Sequence, residues 1–86
     1  MTVVETVLRD ALNRGKHPKV RINYNPQYDK EYVFPATLAR KKHDDQVGRV
    51  VDCVTGHGIC FRVRFRILGL FHAETASYEP EEIKLL

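Results

Sequence analysis

Long apolar runs are missing from this sequence of 86 residues. None approaches the roughly 20 consecutive apolar residues that a membrane-spanning helix needs. The N-terminus also lacks the apolar core and the small-residue cleavage site of a signal peptide. These absences predict a protein without a membrane partner, and they favour a cytoplasmic location.

The residue groups that carry most enzyme chemistry are also scarce. Ser77 is the only serine, and neither a nearby histidine–acid pair nor a phosphate-cradling glycine loop is present. The acidic residues Glu79, Glu81 and Glu82 are typical of a solvated terminal turn. We therefore predict no catalytic residue and no cofactor, and an enzyme only if its site forms between identical subunits.

The length predicts one domain spanning residues 1–86. The net charge is +3, but residues 1–73 hold 13 Lys/Arg against 7 Asp/Glu, and residues 74–86 hold four glutamates against one lysine. A basic body with an acidic end indicates an anionic partner. An ordinary solvated surface would show the same modest charges.

An amphipathic helix is predicted over residues 2–14. Thr2 and Glu5 have the spacing of a capping box, and Gly15 is a typical C-terminal stop. The apolar side chains of the segment recur at helical spacing and should pack on the protein's own core. They are Val4, Val7, Leu8, Ala11 and Leu12.

Residues 19–24 alternate between polar and apolar side chains, which predicts a half-buried strand ended by Asn25-Pro26. The following stretch, 25–46, reads as a long loop with some local order. Long loops are often functional, and tyrosines are favoured anchors at protein interfaces. We therefore predict a protein-interaction loop carrying Tyr24, Tyr28, Tyr32 and Phe34.

The loop ends in the basic cluster 40–43, followed at once by Asp44 and Asp45. We interpret this cluster as a polar loop tip. The alternative is a grip on a phosphate backbone.

A β-hairpin is predicted over residues 47–67, with glycines flanking His57 at its turn. The turn sets the register of the two strands. A turn centred on residues 56–57 predicts three cross-strand pairs, Cys53–Cys60, Val50–Val63 and Arg49–Arg64.

Both cysteines lie in this hairpin, with a histidine between them. Cys53, His57 and Cys60 could supply three ligands of a zinc or copper site, the fourth coming from His43 or His72. Directly opposed cysteines could also form a disulfide or redox pair. The plain alternative is two small half-buried side chains, since free cysteine behaves as a small hydrophobe.

Arginine alternates with apolar residues along the second hairpin strand, 59–67. Its arginines, with those of the neighbouring strands, predict a site for an anion or a nucleic acid, because the guanidinium fork binds phosphate well. Tyrosines of the adjoining loop could then stack on unpaired bases. A solvated outer face is the alternative. The predicted basic set is Lys19, Arg21, Arg49, Arg62, Arg64 and Arg66.

The segments KVRINY, VGRVV, GICFRVRF and YEPEEIKLL, in this order, resemble a bacterial SH3-like barrel. The resemblance covers residues 18–86. It implies a mainly β, α+β fold: a strongly bent antiparallel barrel of about five strands, with the helix 2–14 packed against it. The core should contain Val20, Ile22, Val50, Phe61, Val63, Phe65 and Ile83, with Val7, Leu8 and Leu12.

Similar barrels are accessory subunits, nucleic-acid-binding modules and one reductase with a site formed between subunits, but fold alone does not set function. We expect a non-enzymatic binding module that contacts a protein partner through the barrel surface and the loop 25–46. A nucleic-acid-binding module and an inter-subunit enzyme are the alternatives. A homodimer through the helix or an edge strand is compatible with each of them.

Overall fold

The chain folds into a small α+β protein with a five-stranded antiparallel sheet and an N-terminal helix. The computed structural model describes residues 2–56, 58–66 and 73–86. Its helices are α1 (Val3–Asn13), a 3₁₀ helix (Pro26–Glu31), α2 (Phe34–Lys42) and a second 3₁₀ helix (Pro80–Glu82). Its strands are β1 (Lys19–Ile22), β2 (Val47–Thr55), β3 (Ile59–Arg66), β4 (Ala73–Tyr78) and β5 (Ile83–Leu85).

The strands lie in the order β4-β3-β2-β1-β5. Strands β2, β3 and β4 form a meander, and β5 returns to pair with β1 on its other side. No pairing joins β4 to β5 within residues 2–56, 58–66 and 73–86, so the described sheet is open and has two edges. The predicted antiparallel sheet of five strands is therefore confirmed, whereas closure into a barrel is not seen.

Helix α1 starts where the sequence predicts. Thr2 caps it by accepting a hydrogen bond of 3.0 Å from the backbone N–H of Glu5, and Gly15 follows the helix at φ +74°. Leu8 is fully buried, as predicted, but Val7 is 42% exposed and lies outside the core. Glu5 is buried in its place, so the buried stripe is rotated slightly from the one that the apolar residues suggest.

The hairpin of β2 and β3 has a different register near its turn from the predicted one. Thr55 pairs with Ile59, which leaves three residues between them, and Gly58 takes φ +103°. A three-residue hairpin loop commonly ends in a residue of positive φ, which glycine adopts at little cost. Cys53 consequently faces Phe61, and Cys60 faces Val54.

A β-bulge restores the predicted register further from the turn. The pairing shifts by one residue between Val50 and Asp52. Beyond this bulge Val50 faces Val63, and Arg49 faces Arg64, as the sequence predicts. Such an extra residue also increases the local twist of a strand pair.

The predicted loop 25–46 is mostly helical, which corrects our interpretation of this segment. Asn25 caps the first 3₁₀ helix by accepting from the N–H of Gln27 at 3.0 Å, and Pro26 starts that helix. Pro35 lies in the first turn of α2, where the missing N–H of proline is no loss. The short capping residues and prolines are therefore helix starts here, not loop markers.

The core lies on one face of the sheet, where α1 also packs. The predicted core residues Val20, Ile22, Val50, Phe61, Val63, Phe65, Ile83 and Leu8 are all buried, and Ala76 and Tyr78 of β4 join them. None of the helices in the described ranges is both long and apolar enough to cross a membrane. Ile67, Phe71 and His72 lie outside the described residues.

Candidate functional site

One face of the sheet carries seven basic side chains, and we call it the cationic face. In β3 the buried side chains of Phe61, Val63 and Phe65 alternate with exposed arginines, because successive side chains of a strand point to opposite faces. The same alternation in β1, β2 and β5 places further cations beside them. The cationic face consists of Lys19, Arg21, Arg49, Arg62, Arg64, Arg66 and Lys84.

The strand pairing arranges these cations in rows across the sheet. Arg64 of β3 faces Arg49 of β2, and Arg49 in turn faces Lys19 of β1. Arg21 of β1 faces Lys84 of β5 in the neighbouring row. Like charges directly opposite each other in a strand pair are mildly destabilising. These rows of cations therefore do not add to the stability of the sheet.

Acidic side chains lie beside Arg62 and at the β5 end of the cationic face. Asp52 faces Arg62 across the hairpin, and Asp45 lies 3.5 Å from Arg21. Asp44, Asp45 and Glu81 also line one depression together with Arg21 and Lys84. Within the described ranges, Arg21 is the only cation of the face that forms an ion pair within 4.0 Å. The six that form none are Lys19, Arg49, Arg62, Arg64, Arg66 and Lys84. Their positive potential is therefore directed into the solvent, where it attracts anions.

Other acids of the chain pair with cations away from this face. Asp10 pairs with Arg14 on α1. Glu74 binds Lys42 and His43, whose hydrogen bonds lower the pKa of this carboxyl. These two acids therefore do not reduce the positive charge of the cationic face.

A shallow depression of about 370 Å³ lies within the cationic face. Gly48 lies at its floor, and β2 approaches β3 very closely at this residue on the side that faces the core. A Cβ atom on Gly48 would lie 2.7 Å from Val63 Cγ1 and 2.8 Å from the backbone oxygen of Arg64. The depression is lined by Lys19, Val47, Gly48, Arg49, Arg64 and Arg66.

The predicted interaction tyrosines do not join this face; two of them surround a buried arginine. Arg40 of α2 is fully buried, and its guanidinium carbon lies 4.3 Å from the ring centre of Tyr32 and 5.4 Å from those of Tyr24 and Tyr78. Aromatic faces attract a guanidinium, and more strongly where water is excluded. Tyr24 and Tyr32 therefore act largely in packing around Arg40.

Two carboxylates neutralise Arg40. Its terminal nitrogens donate to Asp29 and Glu82, and its Nε donates to the backbone oxygen of Ser77 at 2.9 Å. Glu82, also fully buried, accepts from the backbone N–H groups of Asn25 at 2.8 Å and Glu79 at 3.0 Å. We call this group, Asp29, Arg40 and Glu82, the buried ion cluster.

This cluster corrects two interpretations of the sequence. Arg40 and His43 lie in the interior instead of at a polar loop tip, and the ring of His43 stacks on Phe65 at 4.1 Å between centroids. Lys41 and Lys42 of the same basic cluster remain exposed. Glu82, assigned to a solvated turn, is also buried.

The remaining residues of the predicted interaction loop differ in exposure. Tyr28 is partly exposed, and burial together with the charges of Glu81 and Glu79 raises its pKa. Phe34 is 73% exposed on α2. Only Phe34 among the four thus presents a largely free ring, and Val33 and Leu38 beside it are 73% and 56% exposed.

The cysteines are free and half-buried. Because Cys53 faces the core residue Phe61 while Cys60 faces Val54, the alternation of the strands sends the two thiols to opposite faces. Burial raises the pKa of both thiols, which favours the protonated form. The register that would oppose the cysteines is therefore wrong.

The described residues provide no set of ligands for the predicted zinc or copper ion. Among the described residues, no group of three His, Cys, Asp or Glu side chains is arranged to hold a metal ion. His57, the third predicted ligand, lies outside those residues.

Sequence reasoning missed Lys84 and the interior role of Arg40. Lys84 alternates with buried Ile83, which is a strand signal, but β5 has only three residues. Arg40 carries no such signal, since it is followed by Lys41 and Lys42, which are exposed. Its partners come from residues 29, 77 and 82, which only the tertiary fold brings together.

The chain matches no family model, no curated protein and no solved structure.

Proposed function

We propose that this protein is a non-enzymatic module that binds nucleic acid through the phosphate backbone. The observation that carries this proposal is the cationic face, where Lys19, Arg49, Arg64 and Arg66 form no ion pair with the described acids and lie on three adjacent strands of one sheet. Nucleic-acid affinity rises as lysine and arginine replace the counterions of the phosphates. Arginine is well suited to this role because its fork donates two parallel hydrogen bonds.

We further propose that the sheet has an SH3-like architecture. The strand order supports this, because β5 returns beside β1 after a 3₁₀ helix over Pro80–Glu82. Gly48 supports it as well, since its close approach to β3 is a site where a sheet can bend.

The variant R64Q/R66Q tests the cationic face. Arg64 and Arg66 are exposed and form no ion pair with the described acids. Counterion release contributes a factor of about 8 per phosphate contact at 0.1 M salt, so binding of a labelled oligonucleotide should weaken roughly 60-fold. The slope of log affinity against log salt should become shallower by about 2. Fluorescence anisotropy at several salt concentrations measures both quantities.

A matched control removes the same charge elsewhere. Lys30 and Lys41 are exposed and lie on the helical segment, so K30Q/K41Q should retain affinity within about threefold. R64Q/R66Q should also keep its stability or gain a few tenths of a kcal/mol, because Arg64 no longer opposes Arg49. Equal losses in the two variants would reject a localised face, and absence of binding by the unmodified protein would reject the function.

The exposed apolar patch on α2 favours protein binding as a second candidate function. Phe34 and Leu38 lie one turn apart on the helix, and Lys41 follows on the same face. A partner with an apolar socket and an acidic rim complements this surface, since aromatic anchors at the centre of an interface carry much of its affinity.

The variant F34S/L38S tests this second candidate. A protein retained from a cell extract by the unmodified chain should be lost by this variant and kept by R64Q/R66Q. Val3 is 77% exposed on α1, so V3S is the control for loss of an exposed apolar side chain elsewhere. Retention by F34S/L38S, or loss by V3S, would exclude the patch as the contact.

A further inference from the structure

We infer that the cationic face binds the two phosphate backbones of a nucleic-acid duplex, in preference to unpaired bases. This inference rests on the proposed function and specifies its substrate class. It reverses the mode that the sequence suggests, in which tyrosines stack on single-stranded bases.

The charge array extends in two dimensions. Arg62, Arg64 and Arg66 follow one another at alternate positions of β3, which spans about 13 Å at roughly 3.3 Å per residue. The cations also extend across four adjacent strands, from β3 to Lys84 of β5. At a strand spacing of about 4.8 Å this second dimension is about 14 Å. The array is therefore about as wide as it is long.

Such an array fits two lines of phosphates better than one. A single strand presents one line of charges, which one row of cations along β3 would already engage. A duplex presents two backbones on either side of a groove about 6 or 12 Å wide. Both spacings fall within the array, so cations on non-adjacent strands such as β3 and β5 can contact the two backbones at once.

The composition of the cationic face also favours phosphates. Among residues 2–56, 58–66 and 73–86, no aromatic ring lines its depression, where the described side chains are basic apart from Val47, with Gly48 between the strands. Proteins that bind single strands combine a basic groove with aromatic platforms for the bases. Here Tyr24 and Tyr32 are committed to Arg40, and the Tyr24 hydroxyl donates to Asp29. The described part of the face thus supplies cations for phosphates but no aromatic platform for unstacked bases.

Contacts to phosphates position a protein on nucleic acid without reading its sequence. Duplexes of different sequence should therefore bind alike. Duplex DNA and duplex RNA both present two phosphate backbones, so both are candidate ligands of the array. Measuring the affinity for each of them identifies the preferred form of the duplex.

The test compares labelled 20-base-pair DNA and RNA duplexes with the unpaired strands of the same sequence and with linear polyphosphate. Anisotropy titrations of the full chain at 50–200 mM salt should give at least tenfold tighter binding to one of the duplexes. The salt slope for that duplex should be about −5, as expected for five or six neutralised phosphates. A shuffled duplex of the same form should bind within about threefold.

Three other results would each be decisive. Binding of single strands or polyphosphate as tight as that of both duplexes would overturn the duplex inference and leave the proposed function standing. A tenfold preference for one duplex sequence would overturn the backbone mode. Absence of binding to every polyanion would reject the proposed function itself.

Discussion

Replacing Arg40 with methionine should lower the free energy of unfolding by about 3–5 kcal/mol. The guanidinium is fully buried and neutralises Asp29 and Glu82, of which Glu82 is also fully buried. Methionine has a similar volume but no charge, so the carboxylate of Glu82 would remain in the interior without its cation. An unpaired buried charge of this kind is far more costly than the loss of a surface ion pair.

Urea unfolding followed by circular dichroism measures this loss. Lys41, the next residue of α2, is exposed, so K41Q should change stability by less than about 0.5 kcal/mol. The double variant R40M/E82Q should recover part of the loss, because it removes the stranded carboxylate. A loss below 1 kcal/mol for R40M, with no recovery in the double variant, would contradict the buried ion cluster.

Arg40→Lys separates charge from geometry. Lysine keeps the positive charge but has a single ammonium in place of the planar fork that bridges two carboxylates and donates to Ser77. This variant should lie between the native protein and R40M. Stability equal to that of the native protein would show that charge alone matters at this position.

Replacing Gly48 with alanine should cost about 1–3 kcal/mol, and replacing it with valine should cost more. The added Cβ would meet Val63 Cγ1 at 2.7 Å, the Arg64 backbone oxygen at 2.8 Å and Phe65 Cδ1 at 2.9 Å. Real Cβ atoms do not approach neighbours this closely, and one of the three is backbone, so β2 and β3 would have to separate. Thermal or urea unfolding of the two variants measures the cost.

Gly56 provides the matched control. It lies at the other end of the same strand pair, and a Cβ atom there would meet nothing within 4 Å. Its φ is not positive, so G56A should be neutral or slightly stabilising through the unfolded chain. If G48A were as stable as G56A, the close approach of β2 to β3 would be wrong. Loss of oligonucleotide affinity in G48A at unchanged stability would instead show that Gly48 contributes to binding and not to stability.

The β-hairpin shows how far local sequence patterns reach. The alternation of apolar and basic residues predicts which side chains of β3 are buried, because the period of two follows from the pleat itself. The register near the turn is a different matter. One extra loop residue shifts the pairing by one position, and the bulge shifts it back. Neither change is visible in the alternation of residue types. The arginine pair 49–64 was predicted correctly because the two shifts cancel there.

The segment 25–46 shows the opposite case. Its tyrosines, prolines and mixed charges suggest a loop. Which side chains of α2 are buried is set by partners that come from distant parts of the chain. Tyr78 of β4 donates to the backbone oxygen of Arg40 at 2.8 Å, and Glu82 reaches the same residue from beyond β4. A buried arginine leaves no signal in its neighbours, since its role depends on acids separated from it by 11 and 42 residues.

Spacing in the sequence identifies the elements with a strict period: helix α1 with its threonine cap, the strands of the hairpin, the core residues of the sheet, and the arginines that face solvent. These features depend on interactions between residues close in the chain. The joining of cations from four strands into one face, the place of Lys84 in it, and the burial of Arg40 all follow from the tertiary fold. Those features depend on contacts between residues far apart in the chain. A charge is screened by water at the surface, whereas in the interior it interacts strongly and needs a partner of opposite charge.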